Sequence, residues 1–163
     1  MLAEAPEFLL AIEQSAFAAA IRQSLWAYPA ANVGHILALF FFAGAISIMD
    51  LTLLGALRGA NAAGIVRKSR RTAIGALLLM LATGSVLFAA EASHVAMNPV
   101  FQVKLALIGF GTLNALATGP PLRRTLAAPA LSTPFPMRLR VAAALSLLTW
   151  LSVAGCGRLI AYF

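Results

Sequence analysis

Four stretches of the chain are almost continuously apolar, and each is long enough to cross a bilayer, which takes about 20 helical residues. They run from Val33 to Leu57, Thr72 to Ala92, Val100 to Thr118 and Val141 to Phe163. Charge interrupts them only at Asp50, Glu91, Lys104 and Arg158. Three of these stand near the end of a stretch, and Asp50 stands deeper. Unbroken apolar runs of this length predict helices in lipid rather than strands, whose apolar positions alternate. The expected fold is all-α: a bundle of four transmembrane helices. Residues 7–26, ahead of the first stretch, follow another pattern. Leu9, Ile12, Ala16 and Ala20 can share one helical face, with Glu13, Gln14, Arg22 and Gln23 largely off it. That predicts an amphipathic helix lying in the membrane interface. Trp26 and Tyr28 stand where amphipathic aromatics prefer the headgroup level. Pro29 is expected to end the interfacial helix and turn the chain into the bundle.

Composition agrees with this pattern. Of 163 residues, 61% are hydrophobic and 10% charged, against about half and about a quarter in soluble domains. The length fits one membrane domain over residues 1–163, with no separate soluble catalytic unit. No basic residue precedes Arg22, so a cleaved signal peptide is not expected at the N-terminus. A single cysteine, Cys156, allows neither an intrachain disulfide nor a cysteine-based metal site. The net charge of +7 does not point to nucleic acid, because the basic residues stand at the ends of apolar runs.

Their distribution orients the chain. Arg58, Arg67, Lys68, Arg70 and Arg71 fall in one connection, and Arg123, Arg124, Arg138 and Arg140 in another, with no acid in either. The opposite side holds only Arg22, Lys104 and Arg158, beside Glu4, Glu7, Glu13 and Glu91. The positive-inside rule then puts both basic connections in the cytoplasm. Both termini and the turn at residues 93–99 face outward, into the periplasm if the membrane is a bacterial inner membrane. The uncharged, proline-containing segment from Ala127 to Pro136 is expected to be irregular and held against the bundle or a neighbouring subunit.

Two sets of polar residues are candidates for chemistry. His35 and His94 are the only histidines, and this topology brings both to the outer side on neighbouring spans. Two imidazoles at one level can ligate a b-type haem, and Arg22, Lys104 and Arg158 could pair with its propionates. Alternatively, Glu91 stands three residues before His94, so both can converge with His35 on a copper or other metal ion, with Met97 nearby. Asp50 is the second anomaly. It lies fifteen residues after His35, about 22 Å further along the helix. It needs a partner or a function there. An Asp50–Asn114 hydrogen bond, a return contact from Arg58, or a proton or ion relay would each account for it. Glycines at 44, 75, 84, 109, 111, 155 and 157 would let helices approach closely. Phe40, Phe41 and Phe42 point around the helix and read as bulk apolar surface. No nucleotide-binding, zinc-protease or serine-hydrolase motif is present, so an autonomous enzyme is not expected.

The segments SLWAYPAANVGH (24–35), DLTLLG (50–55), NPVFQVKLALIGFGTLNA (98–115) and GRLIAYF (157–163) resemble a family of small bacterial membrane proteins of unknown function with four helices. The resemblance implies the same span count and orientation. In that family an arginine usually stands where this chain has Thr52. More loosely, histidine-bearing helices in a four-helix membrane bundle are similar to cytochrome b561 and CopD-type proteins at the level of fold. The expected role is an integral membrane subunit of a larger complex, with other membrane or periplasmic subunits as partners. It would carry electrons through one haem on the outer side. The alternatives are metal handling or small-solute transport through a His/Glu site, and a purely structural subunit.

Overall fold

A computed structural model describes residues 5–57, 61–128 and 134–162. Among these, seven α-helices follow in order: α1 (Glu7–Glu13), α2 (Ala16–Gln23), α3 (Ala27–Leu54), α4 (Ala62–Ala90), α5 (Ala92–Met97), α6 (Pro99–Ala127) and α7 (Met137–Leu159), closed by a 3-10 turn at Ile160–Tyr162. Four of them, α3, α4, α6 and α7, are long and apolar enough to cross a bilayer, the architecture of a multi-pass membrane protein. At 1.5 Å per residue these helices of 23 to 29 residues are about 35 to 44 Å long. They exceed the roughly 30 Å hydrocarbon core, so their ends reach the headgroups.

The helices begin and end differently from the apolar stretches, each for a local reason. Residues 7–26 form two short helices, because Ser15 leaves helical geometry and its hydroxyl caps α2 by accepting from Ala18 N at 3.2 Å. Pro29 does not end a helix. It sits in the first turn of α3, where the missing N–H costs nothing because first-turn amides have no intrahelical acceptor. α4 starts ten residues before the apolar run, capped by Asn61, whose side chain accepts from Gly64 N. Arg67, Lys68, Arg70 and Arg71 therefore lie on its early turns rather than in a loop. The turn expected at 93–99 is mostly the short helix α5, set off by non-helical backbone at Glu91 and extended backbone at Asn98. Asn98 then caps α6 by accepting from Val100 N and Phe101 N, with Pro99 at the first position. α6 continues through Pro120 and Pro121 to Ala127, although the two prolines remove the amide bonds to the carbonyls of Leu116 and Ala117. Gly55 ends α3 at φ 86°, a conformation that favours glycine.

α3 is central: it packs against α4 on one side and α7 on the other, and α7 packs against α6. One apolar cluster joins all four long helices at their basic end through Leu53, Val66, Leu122, Leu126, Leu139 and Ala143. Phe135 is buried in the same cluster and ties the chain before α7 to it. Residues 129–133 of the connection expected there lie outside the described residues. A second cluster, Phe42, Ala45, Ile46, Ala73 and Ala76, holds α3 to α4, with Trp150 of α7 against it. Phe42 is thus core, edge-to-face with Trp150 at 4.6 Å between centroids, while Phe40 and Phe41 are exposed. Close helix approach is required at Gly111, where a Cβ would stand 2.9 Å from Trp150 Cζ2. The Cβ positions of Gly44, Gly75, Gly109 and Gly155 meet nothing within 4 Å, so these four do not serve packing within the chain.

At the opposite end, α1 lies against α5, and α2 against α4. Ser93 donates its amide (2.8 Å) and its hydroxyl to Glu13 Oε2. Arg22 donates to the carbonyl of Ala90 at 3.0 Å. These bonds fix the N-terminal helices over the α4–α5 junction.

Candidate functional site

Each candidate residue now has a place. His35 faces α4: its Nδ1 lies 2.9 Å from Thr83 Oγ1, and its ring lies over Gly84. The Thr83 hydroxyl also lies 2.7 Å from Leu79 O; when it donates there it accepts from the imidazole, which is then the Nδ1–H tautomer with its lone pair on Nε2. Lys104 of α6 is within electrostatic range of His35 and of Cys156, and its Nζ lies beside Gly157. Arg158 turns away to Tyr162, donating to its hydroxyl at 2.7 Å with the guanidinium 4.9 Å over the ring.

His94 is not at the level of His35. It is exposed on α5, beyond the break at Glu91. Glu91 itself stands seven residues past Gly84, about 10 Å further along α4. His94 acts electrostatically on Glu13, and Tyr28 lies against Glu91. No group of three or more His, Cys, Asp or Glu residues forms among the described residues, so His35, Glu91 and His94 are not brought together. Of the outer candidates, His35 and Lys104 share a neighbourhood, Arg22 and His94 both act on Glu13, Glu91 meets Tyr28, and Arg158 turns to Tyr162.

The inner anomaly resolves differently. Asp50 is 1% exposed. Its polar neighbour is the Ser146 hydroxyl of α7, and Oδ2 has no hydrogen-bond partner. The expected Asp50–Asn114 bond does not form: Asn114, half-buried, gives its amide to Ala142 O on α7 at 3.0 Å. Arg58 lies outside the described residues. Thr52 is buried and bonds its own helix at Ile48 O.

Asp50 faces a cavity of about 190 Å³. α3 and α7 form its floor, with Phe42, Met49, Asp50, Ser146 and Trp150. α4 and α6 form its walls, with Arg70, Ile74, Thr112, Asn114, Leu116 and Thr118. The walls touch at both ends. Arg67 donates to Leu126 O at 3.2 Å at the basic end, and Phe88 stacks on Phe101 at 5.7 Å at the other. Between them Ile74 and Leu116 stand 49% and 67% exposed at the rim. Arg70 reaches Gly119, where a Cβ would stand 3.1 Å from its Nη2, and it has no hydrogen bond or ion pair with any described residue. The cavity thus presents a carboxyl and a guanidinium that do not pair. Sequence reasoning found Asp50 through its isolation in an apolar run. It missed Arg70 and Ser146, because a basic residue at a helix end and a serine in a span carry no such signal.

None of the curated proteins and none of the solved structures compared matches the chain, so neither comparison extends the fold-level similarity to cytochrome b561 or CopD-type proteins. Residues 16–163, nearly the whole chain and every long helix described above, match one family. By that match the protein belongs to the family of unknown function DUF6644.

Proposed function

We propose that this protein binds a small ligand inside the bilayer, in the Asp50 cavity, and that the ligand enters from lipid between α4 and α6. One observation carries the reading: a carboxyl buried among four apolar helices faces a cavity and leaves an oxygen without a partner. At 1% exposure Asp50 is shut off from water, and an unsatisfied buried polar group costs a few kcal/mol. An apolar side chain would serve the fold as well or better. Ionisable residues inside spans mark ligand, ion or proton pathways. The cavity's size suits a small molecule, since about 150 Å³ suffices for benzene.

A hydrophobic carbodiimide tests the reading. Dicyclohexylcarbodiimide partitions into lipid and converts a reachable carboxyl to an N-acylurea. Peptide mapping of protein in liposomes is expected to find the adduct on Asp50 and none in Asp50→Asn. An unmodified Asp50 at saturating reagent would refute entry from the lipid.

The same reading orients the protein. Nine of the twelve basic residues belong to the end that holds the cavity, and by the positive-inside rule this supports a cytoplasmic position for that end in a bacterial inner membrane, with both termini outside. α1 and α2 then lie in the outer interface. The apolar perimeter of α6 fits contact with lipid or with a larger membrane complex.

A second reading rests on His35. An Nδ1–H tautomer held by Thr83 would give Nε2 to a metal in the manner of ligating histidines, and Lys104 could meet an anionic group. In this reading the chain is an electron-transfer subunit with one b-type haem, ligated by His35 and, after movement of α5, by His94. A Soret band in the purified protein, lost in His35→Ala, is the expected sign; its absence from native preparations would end the reading.

A further inference from the structure

We infer that the Asp50 cavity recognises a zwitterion carrying a primary ammonium and a phosphate, and that its source is the headgroup of an aminophospholipid. The inference rests on the reading of the cavity as a binding site and adds the identity of what it holds. The first observation is the unpartnered carboxyl already described. Asp50 lines the cavity, and its buried Oδ2 has no hydrogen-bond donor. An ammonium supplies both the donor and the countercharge that burial withholds. The second observation is the Arg70 guanidinium on the α4 wall. It too is without a partner among the described residues, and a guanidinium suits phosphate oxygens. Two opposite charges line one cavity without forming an ion pair, so the space between them fits a ligand bearing both complementary charges.

The third observation is position. Arg70 follows Arg67 and Lys68 on the early turns of α4 and precedes Arg71, at the end of the bundle where headgroups begin. Asp50 stands one turn from the end of α3. Both charges therefore lie at headgroup depth rather than at the bilayer centre. The fourth is the rim. Ile74 and Leu116 are apolar and exposed between the walls, so acyl chains attached to a bound headgroup would leave the cavity through lipid-facing surface. Arg70 Nη2 lies close over Gly119 on the facing α6 wall, 3.1 Å from where a Cβ would stand.

Carbodiimide chemistry turns the contact into a covalent record. The reagent adds to the Asp50 carboxyl to give an O-acylisourea. A primary amine in contact attacks the acyl carbon, the urea leaves, and an amide joins Asp50 to the lipid. Without an amine the same adduct rearranges to the N-acylurea. The full-length protein is reconstituted in phosphatidylcholine nanodiscs, with or without phosphatidylethanolamine, and the Asp50 peptide is analysed by mass. The expected product is the phosphatidylethanolamine amide when that lipid is present and the N-acylurea when it is not. Arg70→Gln is expected to lower the amide yield about tenfold, since it removes a charge-assisted bond to phosphate, while the N-acylurea yield stays the same. N-acylurea as the sole product in both membranes would overturn the ammonium assignment and leave the cavity reading intact. No modification of Asp50 in either would overturn both. Amide formation with soluble phosphoethanolamine but not with the lipid would overturn the lipid source.

Discussion

Glu13 and Asp50 are both carboxylates with a serine for a neighbour, and they differ in what surrounds them. Glu13 lies outside the spans and receives two hydrogen bonds from Ser93, its amide and its hydroxyl. Those bonds, the hydroxyl first, hold its carboxyl below the usual glutamate range, assisted by Arg22 and His94. A depressed carboxylate stabilises the fold above its unfolded pKa and loses that contribution as pH falls through its folded pKa. Glu13→Gln is therefore expected to speed amide hydrogen exchange in residues 7–13 and 92–97 at pH 7. The difference from the unsubstituted chain should shrink as pH falls below about 4. Equal exchange at pH 7 would mean that the Glu13–Ser93 bonds do not hold α1 to α5. The partner of Glu13 could not be read from the sequence, because Ser93 lies 80 residues away and neither residue is unusual at its position. Asp50 was legible for the opposite reason. A charge inside an apolar run is conspicuous whatever it touches.

At the scale of elements, the existence of the four long helices was legible and their ends were not. Apolar runs report the part of a helix that lipid covers. They say nothing of the turns beyond it, so α4 gained its basic first turns through the Asn61 cap, and α6 ran on through Pro120 and Pro121. Packing faces were legible only in part. Among three consecutive phenylalanines only Phe42 is core, and which of three it would be depends on where α7 places Trp150. The α6–α7 contact gives a sharp test. Gly111→Ala puts a methyl group 2.9 Å from Trp150 Cζ2, and overpacking of this kind costs about 1 to 3 kcal/mol. Gly109→Ala, two residues away with nothing within 4 Å, should cost nothing measurable. Denaturation of the two variants in matched detergent checks the difference, and equal stabilities would contradict the packing described. Leu139→Ala in the basic-end cluster, at 1% exposure, should cost about 2 to 5 kcal/mol in the same assay.

For the whole molecule, the order α4, α3, α7, α6 explains why a cavity exists. α3 packs on α4 and α7, and α7 on α6, while α4 and α6 meet through Arg67 and Leu126 towards one end and Phe88 and Phe101 towards the other, so a space is left between them. Orientation belongs to this scale as well. Cysteines introduced singly at Ala128 and at Gln14, in a Cys156→Ser background, should react with an impermeant maleimide from opposite sides of intact cells. Gln14 should be labelled from outside, and Ala128 only after permeabilisation. The reverse pattern would invert the proposed topology.

On the proposed reading Asp50 is kept for a ligand and not for the fold. The thermal midpoint of ligand-free Asp50→Leu against the unsubstituted chain, in the same detergent, tests this most directly. The cavity beside Asp50 has room for the larger side chain, and the substitution removes an oxygen that has no partner. The midpoint is expected to stay level or rise. A fall of more than about 4 °C, equivalent to roughly 1 to 2 kcal/mol in a chain of this size, would show that Asp50 holds the bundle together and would contradict the account.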